Sequence, residues 1–129
     1  CRNALEIAKF LSNHKQIVKT IYPGLNSHPQ FDLGKKQMHQ SGSIITIEIK
    51  GGKENAFNFL NALQLIDISN NLGDSKSLAT HPASTTHRVI GEEERQKLNV
   101  RDSMVRLSIG LEDTQDLIAD IDQALSKLA

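Results

Sequence analysis

Apolar and polar positions alternate with two different periods along this chain, and each change of period marks an element. Ala4, Ile7, Ala8 and Leu11 stand at i, i+3, i+4 and i+7, which predicts a helix over Asn3 to Asn13 with one buried stripe. Ile17 to Tyr22 is rich in β-branched residues and stopped by Pro23-Gly24, the signature of a short strand. Pro29 suits the first position of a helix, where its missing N–H costs nothing; Ser27 or His28 can cap that helix, and it runs to Met38, weakened by Gly34. The clearest strand is Ser43 to Lys50. There Ile45, Ile47 and Ile49 alternate with Thr46 and Glu48, so one face is buried and the other wet, and Gly51-Gly52 ends it.

The period then returns to that of a helix, with Ala56, Phe59, Leu60 and Leu63 on one face. Leu65 to Ser69 predicts another short strand, feeding a long polar loop from Asn70 to His87. Gly91 to Lys97 is charged and fits a short helical turn on the surface. Val105, Leu107 and Ile109 alternate with Arg106 and Ser108 in a further strand. Asp113 can cap the last helix, with Asp116 favourable to its dipole and Leu117, Ile118, Ile121, Leu125 and Leu128 as its stripe. The order is αβαβαβ, loop, βα. It predicts an α+β fold, an α/β sandwich in which helices pack on one face of a small, mainly antiparallel sheet. The other face is left to meet another domain or subunit.

Composition narrows this picture. A chain of 129 residues is most simply one domain. Aromatic residues make up 4% and Trp is absent, so the core must be built from Leu, Ile, Val and Ala. Lys+Arg and Asp+Glu are 15 each, which argues against a nucleic-acid partner, since that would leave a basic footprint. No apolar run approaches the roughly 18 residues of a membrane span, so no membrane partner is expected, and no signal-peptide pattern is visible. The single cysteine, Cys1, cannot form an internal disulfide, which fits a reducing cytoplasm. A chain that opens on Cys rather than Met is expected to be a piece of something longer.

Two places carry candidate chemistry. Strand alternation puts Arg106 on the polar face, opposite Val105, Leu107 and Ile109. A guanidinium offers a planar fork of donors that matches a carboxylate, yet a wet sheet face also carries ordinary solvated arginines. The loop of 70–87 is longer than connectors usually are and rich in Ser, Thr and Asn donors; such loops are functional or disordered. His81 and His87 lie in it six residues apart, but no third ligand stands at a matching interval for zinc, so no metal is expected. Neither a nucleophile elbow nor a phosphate loop is present.

Together these residues resemble the C-terminal domain of the Cys/Met-metabolism family of pyridoxal-phosphate enzymes. The resemblance rests on the run from Asn71 to His87 followed by Val105-Arg106-Leu107-Ser108. In the family's order stand also Tyr22-Pro23-Gly24-Leu25, His28-Pro29-Gln30, Lys36-Gln37-Met38, Ser41-Gly42 and Gly110-Leu111-Glu112-Asp113. The family includes cystathionine γ-synthase, the cystathionine lyases, methionine γ-lyase and the homoserine-ester sulfhydrylases. Asn70-Asn71-Leu72-Gly73-Asp74 with Lys76 to Pro82 is most similar to the O-succinylhomoserine sulfhydrylases, with the O-acetylhomoserine enzymes close behind.

The resemblance implies the small C-terminal domain of a pyridoxal-phosphate transferase fold, spanning residues 1–129. It implies that Arg106 binds the substrate α-carboxylate, with Thr86 near it, and that Asn71 takes the place of a serine that helps hold the same group. It implies a γ-replacement: the ester leaves Cγ of O-succinyl- or O-acetylhomoserine and sulfide adds to give homocysteine, within methionine biosynthesis. Pyridoxal 5'-phosphate would be held by a large domain whose motifs are not in this sequence. The chain alone is therefore expected to be inactive, without catalytic or cofactor-binding residues, and the parent enzyme to be a homotetramer. The loop of 70–88, facing the absent domain, is expected to be mobile or held by another copy. The alternatives are a cystathionine γ-synthase domain, a methionine or cystathionine γ-lyase domain, and a non-enzymatic α+β module that binds an amino acid.

Overall fold

The computed structural model describes residues 1–128. Its elements follow the sequence pattern closely: α1 (Arg2–Ser12), β1 (Ile17–Ile21), α2 (Phe31–Gln37), β2 (Ile44–Ile49) and α3 (Gly52–Ala62) come first. They are followed by β3 (Asp67–Ile68), β4 (Leu78–Thr80), a 3-10 turn (Pro82–Ser84), α4 (Gly91–Lys97), β5 (Met104–Ser108) and α5 (Thr114–Ser126). The five strands form one sheet in the order β1-β2-β5-β4-β3. Every pairing is antiparallel except β3 with β4, which is parallel. This is the α+β arrangement expected from the alternating periods.

Helices α1, α3 and α5 cover one face. The stripe predicted for α1 is the buried one, Ala4, Ile7, Ala8 and Leu11. On α5 the predicted Leu117, Ile121 and Leu125 are buried together with Ala124, while Ile118 is half-buried and Leu128 is buried just beyond the helix end. They meet Ile45, Ile47 and Ile49 of β2 and Val105 and Leu107 of β5, each at most 1% exposed. Of the aromatic residues only Tyr22 and Phe59 are among the buried apolar side chains, so the core is aliphatic as the composition requires. The Tyr22 hydroxyl donates to the Gly42 carbonyl at 2.9 Å, and burial pushes its phenol above its ordinary pKa. Asp113 caps α5 as expected, its carboxylate accepting from the N–H groups of Gln115 and Asp116.

Three expectations change. The helix expected to begin at Pro29 under a Ser27 or His28 cap begins at Phe31, with Gln30 at its N-cap and no side-chain cap bond; the His28 ring nitrogen Nδ1 instead accepts the Gln30 N–H at 3.1 Å, before the helix starts. The strand expected over Leu65–Ser69 is only two residues long. The reason is Asp120, a carboxylate on the buried side of α5. It accepts the N–H groups of Gln64, Leu65 and Ile66 at 2.8, 2.9 and 2.9 Å, which binds that backbone to a helix instead of to a ladder. The polar loop of 70–87 is also not one loop. Its middle, Leu78–Thr80, is a strand inserted between β3 and β5, and the 3-10 turn follows directly. Ser77 to Ala83 are all buried within the single chain, while residues 70–75, 85, 86 and 88 are exposed.

Candidate functional site

Cross-strand partners share a face of the sheet, and the ladder register therefore fixes what surrounds Arg106. Ile21 pairs with Thr46, Thr46 with Arg106, and Arg106 with Thr80, so one row crosses four strands on the face away from the helices. Arg106 stands near the middle of that row, half-buried. The neighbouring row, Ile44, Ser108 and Leu78, is roofed by the chain itself: the Ser108 hydroxyl accepts from the Gly73 N–H at 3.1 Å, and Ser108 is 2% exposed. The face expected to be open is thus partly closed by residues 70–76, with Arg106 at the margin of the covered area.

The guanidinium is oriented by the backbone. Arg106 Nη2 donates to the Asn70 carbonyl at 2.8 Å. The Asn70 side chain accepts from the Thr80 hydroxyl at 2.7 Å, and that hydroxyl lies 3.0 Å from the Thr85 hydroxyl. Thr85 donates in turn to the His81 carbonyl at 2.7 Å. These polar contacts bring both arms of the former loop together beside Arg106. None of the ion pairs among the described residues involves Arg106. The nearby carboxylate of Glu48 is engaged elsewhere, 3.2 Å from Arg101 and 3.1 Å from the Ser103 hydroxyl. A guanidinium with one bond to a carbonyl and no acid partner retains most of its fork of donors for an anion.

The other two candidates lie beside this network, not in it. Asn71 is exposed and its N–H donates to the Ser69 hydroxyl at 3.3 Å. Thr86 is exposed, its hydroxyl 2.8 Å from His87 Nδ1. Neither hydrogen-bonds Arg106 among the described residues; each is the chain neighbour of a residue that belongs to the network, Asn70 and Thr85. Sequence reasoning missed Asn70, Thr80 and Thr85. The signal available for Thr80 was register: only pairing with β5 places it beside Arg106, and its strand was hidden in the polar run.

A second knot anchors the arm of 74–77. The Glu112 carboxylate accepts from the Ser77 N–H and hydroxyl, both at 2.9 Å, while the Ser77 hydroxyl accepts from the Gly110 N–H at 2.8 Å. Burial alone would raise the Glu112 pKa. The bonds from Ser77, its own backbone N–H and the charge of Lys76 outweigh burial and hold it below the usual glutamate value. His81 is buried, and both ring nitrogens are occupied, by the Ser84 hydroxyl and the Asp102 carbonyl. It is therefore not presented to a metal, and among the described residues no group of three or more His, Cys, Asp or Glu is placed to hold one. No described helix is long and apolar enough to cross a membrane.

Comparison with known proteins shows the family. The profile of the Cys/Met metabolism PLP-dependent enzyme family matches residues 1–126. The O-succinylhomoserine sulfhydrylase of Mycobacterium tuberculosis is 52% identical, over 96% of this chain and 32% of that protein. The L-methionine gamma-lyase of Pseudomonas putida is 47% identical, over 100% of this chain and 32% of that protein. A crystal structure of a candidate O-acetylhomoserine (thiol)-lyase from Campylobacter jejuni, with N'-pyridoxyl-lysine-5'-monophosphate in place, superposes with a TM-score of 0.93. It shares 42% identity, over 98% of this chain and 30% of that one. The chain thus spans about a third of the length of the relatives it matches (32%).

The residues of this chain do not by themselves fit pyridoxal phosphate. A Schiff-base lysine must present its amine inside a cavity. Among the described residues every lysine is exposed except Lys76, which is half-buried and spends its ammonium on the Leu65 carbonyl at 3.1 Å and on Asp67 at 3.4 Å.

Proposed function

The chain belongs to the Cys/Met-metabolism family of PLP-dependent enzymes, and from that premise we propose that it is the C-terminal domain that holds the substrate α-carboxylate in a homoserine-ester sulfhydrylase. The observation that carries this reading is Arg106, aimed by the Asn70 carbonyl and free of any acid partner among the described residues, at the margin of the uncovered sheet face. A bidentate carboxylate fits such a fork, and the charge-assisted bonds are stronger than neutral ones. Thr86 and Asn71 flank the network on its two arms and would complete the cradle with a hydroxyl and an amide. The arrangement selects an amino acid by its carboxylate and leaves its side chain to the rest of the enzyme. The parent protein is then a cytoplasmic transferase, a homotetramer, that converts O-succinyl- or O-acetylhomoserine and sulfide to homocysteine in methionine biosynthesis.

The similarity to methionine γ-lyases, at 47% identity for one of them, favours one further reading: elimination at Cγ without a replacing nucleophile. The carboxylate clamp serves both reactions equally. Product analysis separates them. Incubated with a homoserine ester and sulfide, the enzyme containing this chain is expected to yield homocysteine; a 2-oxo acid and ammonia, formed at the same rate with or without sulfide, would assign it to the lyases. The clamp has its own test. Arg106→Gln removes about 3 kcal/mol of charge-assisted binding, and is expected to raise KM for the amino acid about a hundredfold. An unchanged KM would overturn the carboxylate role.

A further inference from the structure

His81 is the buried side chain that links the most parts of this site, and the clamp as described does not use its ring. It lies at the junction of β4 and the 3-10 turn, 2% exposed. Its ring packs on Phe57 of α3 at 4.7 Å between centroids. Nε2 is 2.6 Å from the Asp102 carbonyl, in the turn that enters β5, and Nδ1 is 2.7 Å from the Ser84 hydroxyl. A carbonyl only accepts, so Nε2 is the donor; in the neutral ring Nδ1 then accepts from Ser84. The backbone carbonyl of the same residue accepts from Thr85, the hydroxyl next in line to Thr80 and Asn70. One residue therefore ties the turn carrying Thr85 and Thr86 to the start of the strand carrying Arg106.

We infer that His81 is a positioning residue: its imidazole latches the turn of Pro82–Ser84 to the Asp102 carbonyl and so holds Thr85, Thr86 and Arg106 in one registration for the substrate carboxylate. The inference rests on the carboxylate reading of Arg106. Without the latch, β5 remains in its ladder between β2 and β4, but the arm of 84–87 loses its tie to the β5 entry. The clamp then opens before substrate arrives, and binding must supply the ordering that the latch now provides.

The test uses the holoenzyme that contains this chain. His81→Phe keeps a ring against Phe57 and deletes both hydrogen bonds; His81→Gln restores an amide donor toward Asp102. His81→Phe is expected to raise KM for the amino-acid substrate about tenfold, with kcat within about threefold and the absorbance of bound cofactor unchanged. His81→Gln is expected to recover most of the loss. Because both residues act through one clamp, His81→Phe combined with Arg106→Gln should show a KM no higher than Arg106→Gln alone. A response of KM to Arg106→Gln with none to His81→Phe overturns the inference and leaves the carboxylate reading standing. So do KM increases that multiply in the double variant, and so does failure of both His81 variants to fold, which would make the histidine purely structural. No response to Arg106→Gln overturns the carboxylate reading and this inference with it.

Discussion

At the scale of single residues, two carboxylates hold backbone in place by opposite economies of exposure. Asp120 is 6% exposed and satisfies three consecutive N–H groups that no ladder reaches. Asp120→Ala leaves those donors without an acceptor beside the core, and is expected to cost about 3 kcal/mol, read as a lower midpoint in denaturant with an unchanged slope. A loss under about 1 kcal/mol would mean that water or a shifted backbone replaces the carboxylate. Glu112 is only half-buried, and its effect is tied to pH. Its folded pKa lies below the usual glutamate value, so the stability it contributes is fully present above the unfolded pKa, about 4.3, and is lost as pH falls through the folded pKa. Glu112→Gln is therefore expected to melt below the parent at neutral pH, with the gap closing as acid protonates the parent's carboxyl. A gap that is constant from neutral to strongly acidic pH would show that the charge of Glu112 is irrelevant.

At the scale of elements, the informative one is β4, because nothing in its own residues announces it. Leu78, Ala79 and Thr80 offer one alternation, too short to tell from loop, and Gly73, Pro82 and the hydroxyl residues Ser75, Ser77, Ser84, Thr85 and Thr86 around them read as connector. Helices α1, α3 and α5 and strand β2 were legible because each repeats its period over several residues, whereas the start of α2, a seven-residue helix with no buried residue, was not. Arg106 was legible for the same reason, from the alternation of Val105, Leu107 and Ile109. Thr80, Asn70 and Thr85 were not, since their role depends on register with a strand far away in sequence, and register is a property of pairs. The same dependence explains why β3 shrank: its donors are claimed by Asp120, a residue on another element. The ladder holds β4 beside β5, and the arm that leads into β4 passes close to Gly110, where an added Cβ would overlap the Ser75 carbonyl. That carbonyl accepts the Leu111 N–H at 2.7 Å. Gly110→Ala is thus expected to push the arm of 74–77 off the end of β5 and to cost about 2 kcal/mol or more, although the glycine makes no side-chain contact of its own. Hydrogen exchange should place the loss at the Ser77 and Gly110 amides first; uniform loss over the sheet would argue against a local cause.

At the scale of the whole molecule, the two faces of the sheet differ in how complete they are. The helix face is closed by α1, α3 and α5 of the same chain, with Ile45, Ile47, Val105, Leu107, Leu117 and Ile121 at zero exposure. The other face carries Arg106 and is only partly roofed by residues 70–76. Folding draws on the first face, and the proposed chemistry needs the second together with groups that these residues do not supply. The two requirements can be separated by experiment. The 129-residue chain, produced alone, is expected to unfold in one cooperative transition, because its core needs no outside surface to close it. Mixed with pyridoxal phosphate and then desalted, it is expected to retain no stoichiometric visible absorbance, because an exposed lysine forms an imine that washes away. Retention of one cofactor per chain, lost on substitution of a single lysine, would contradict the division of labour proposed here. Cooperative folding without cofactor would agree with it, and would locate substrate recognition and cofactor chemistry on different parts of the parent enzyme.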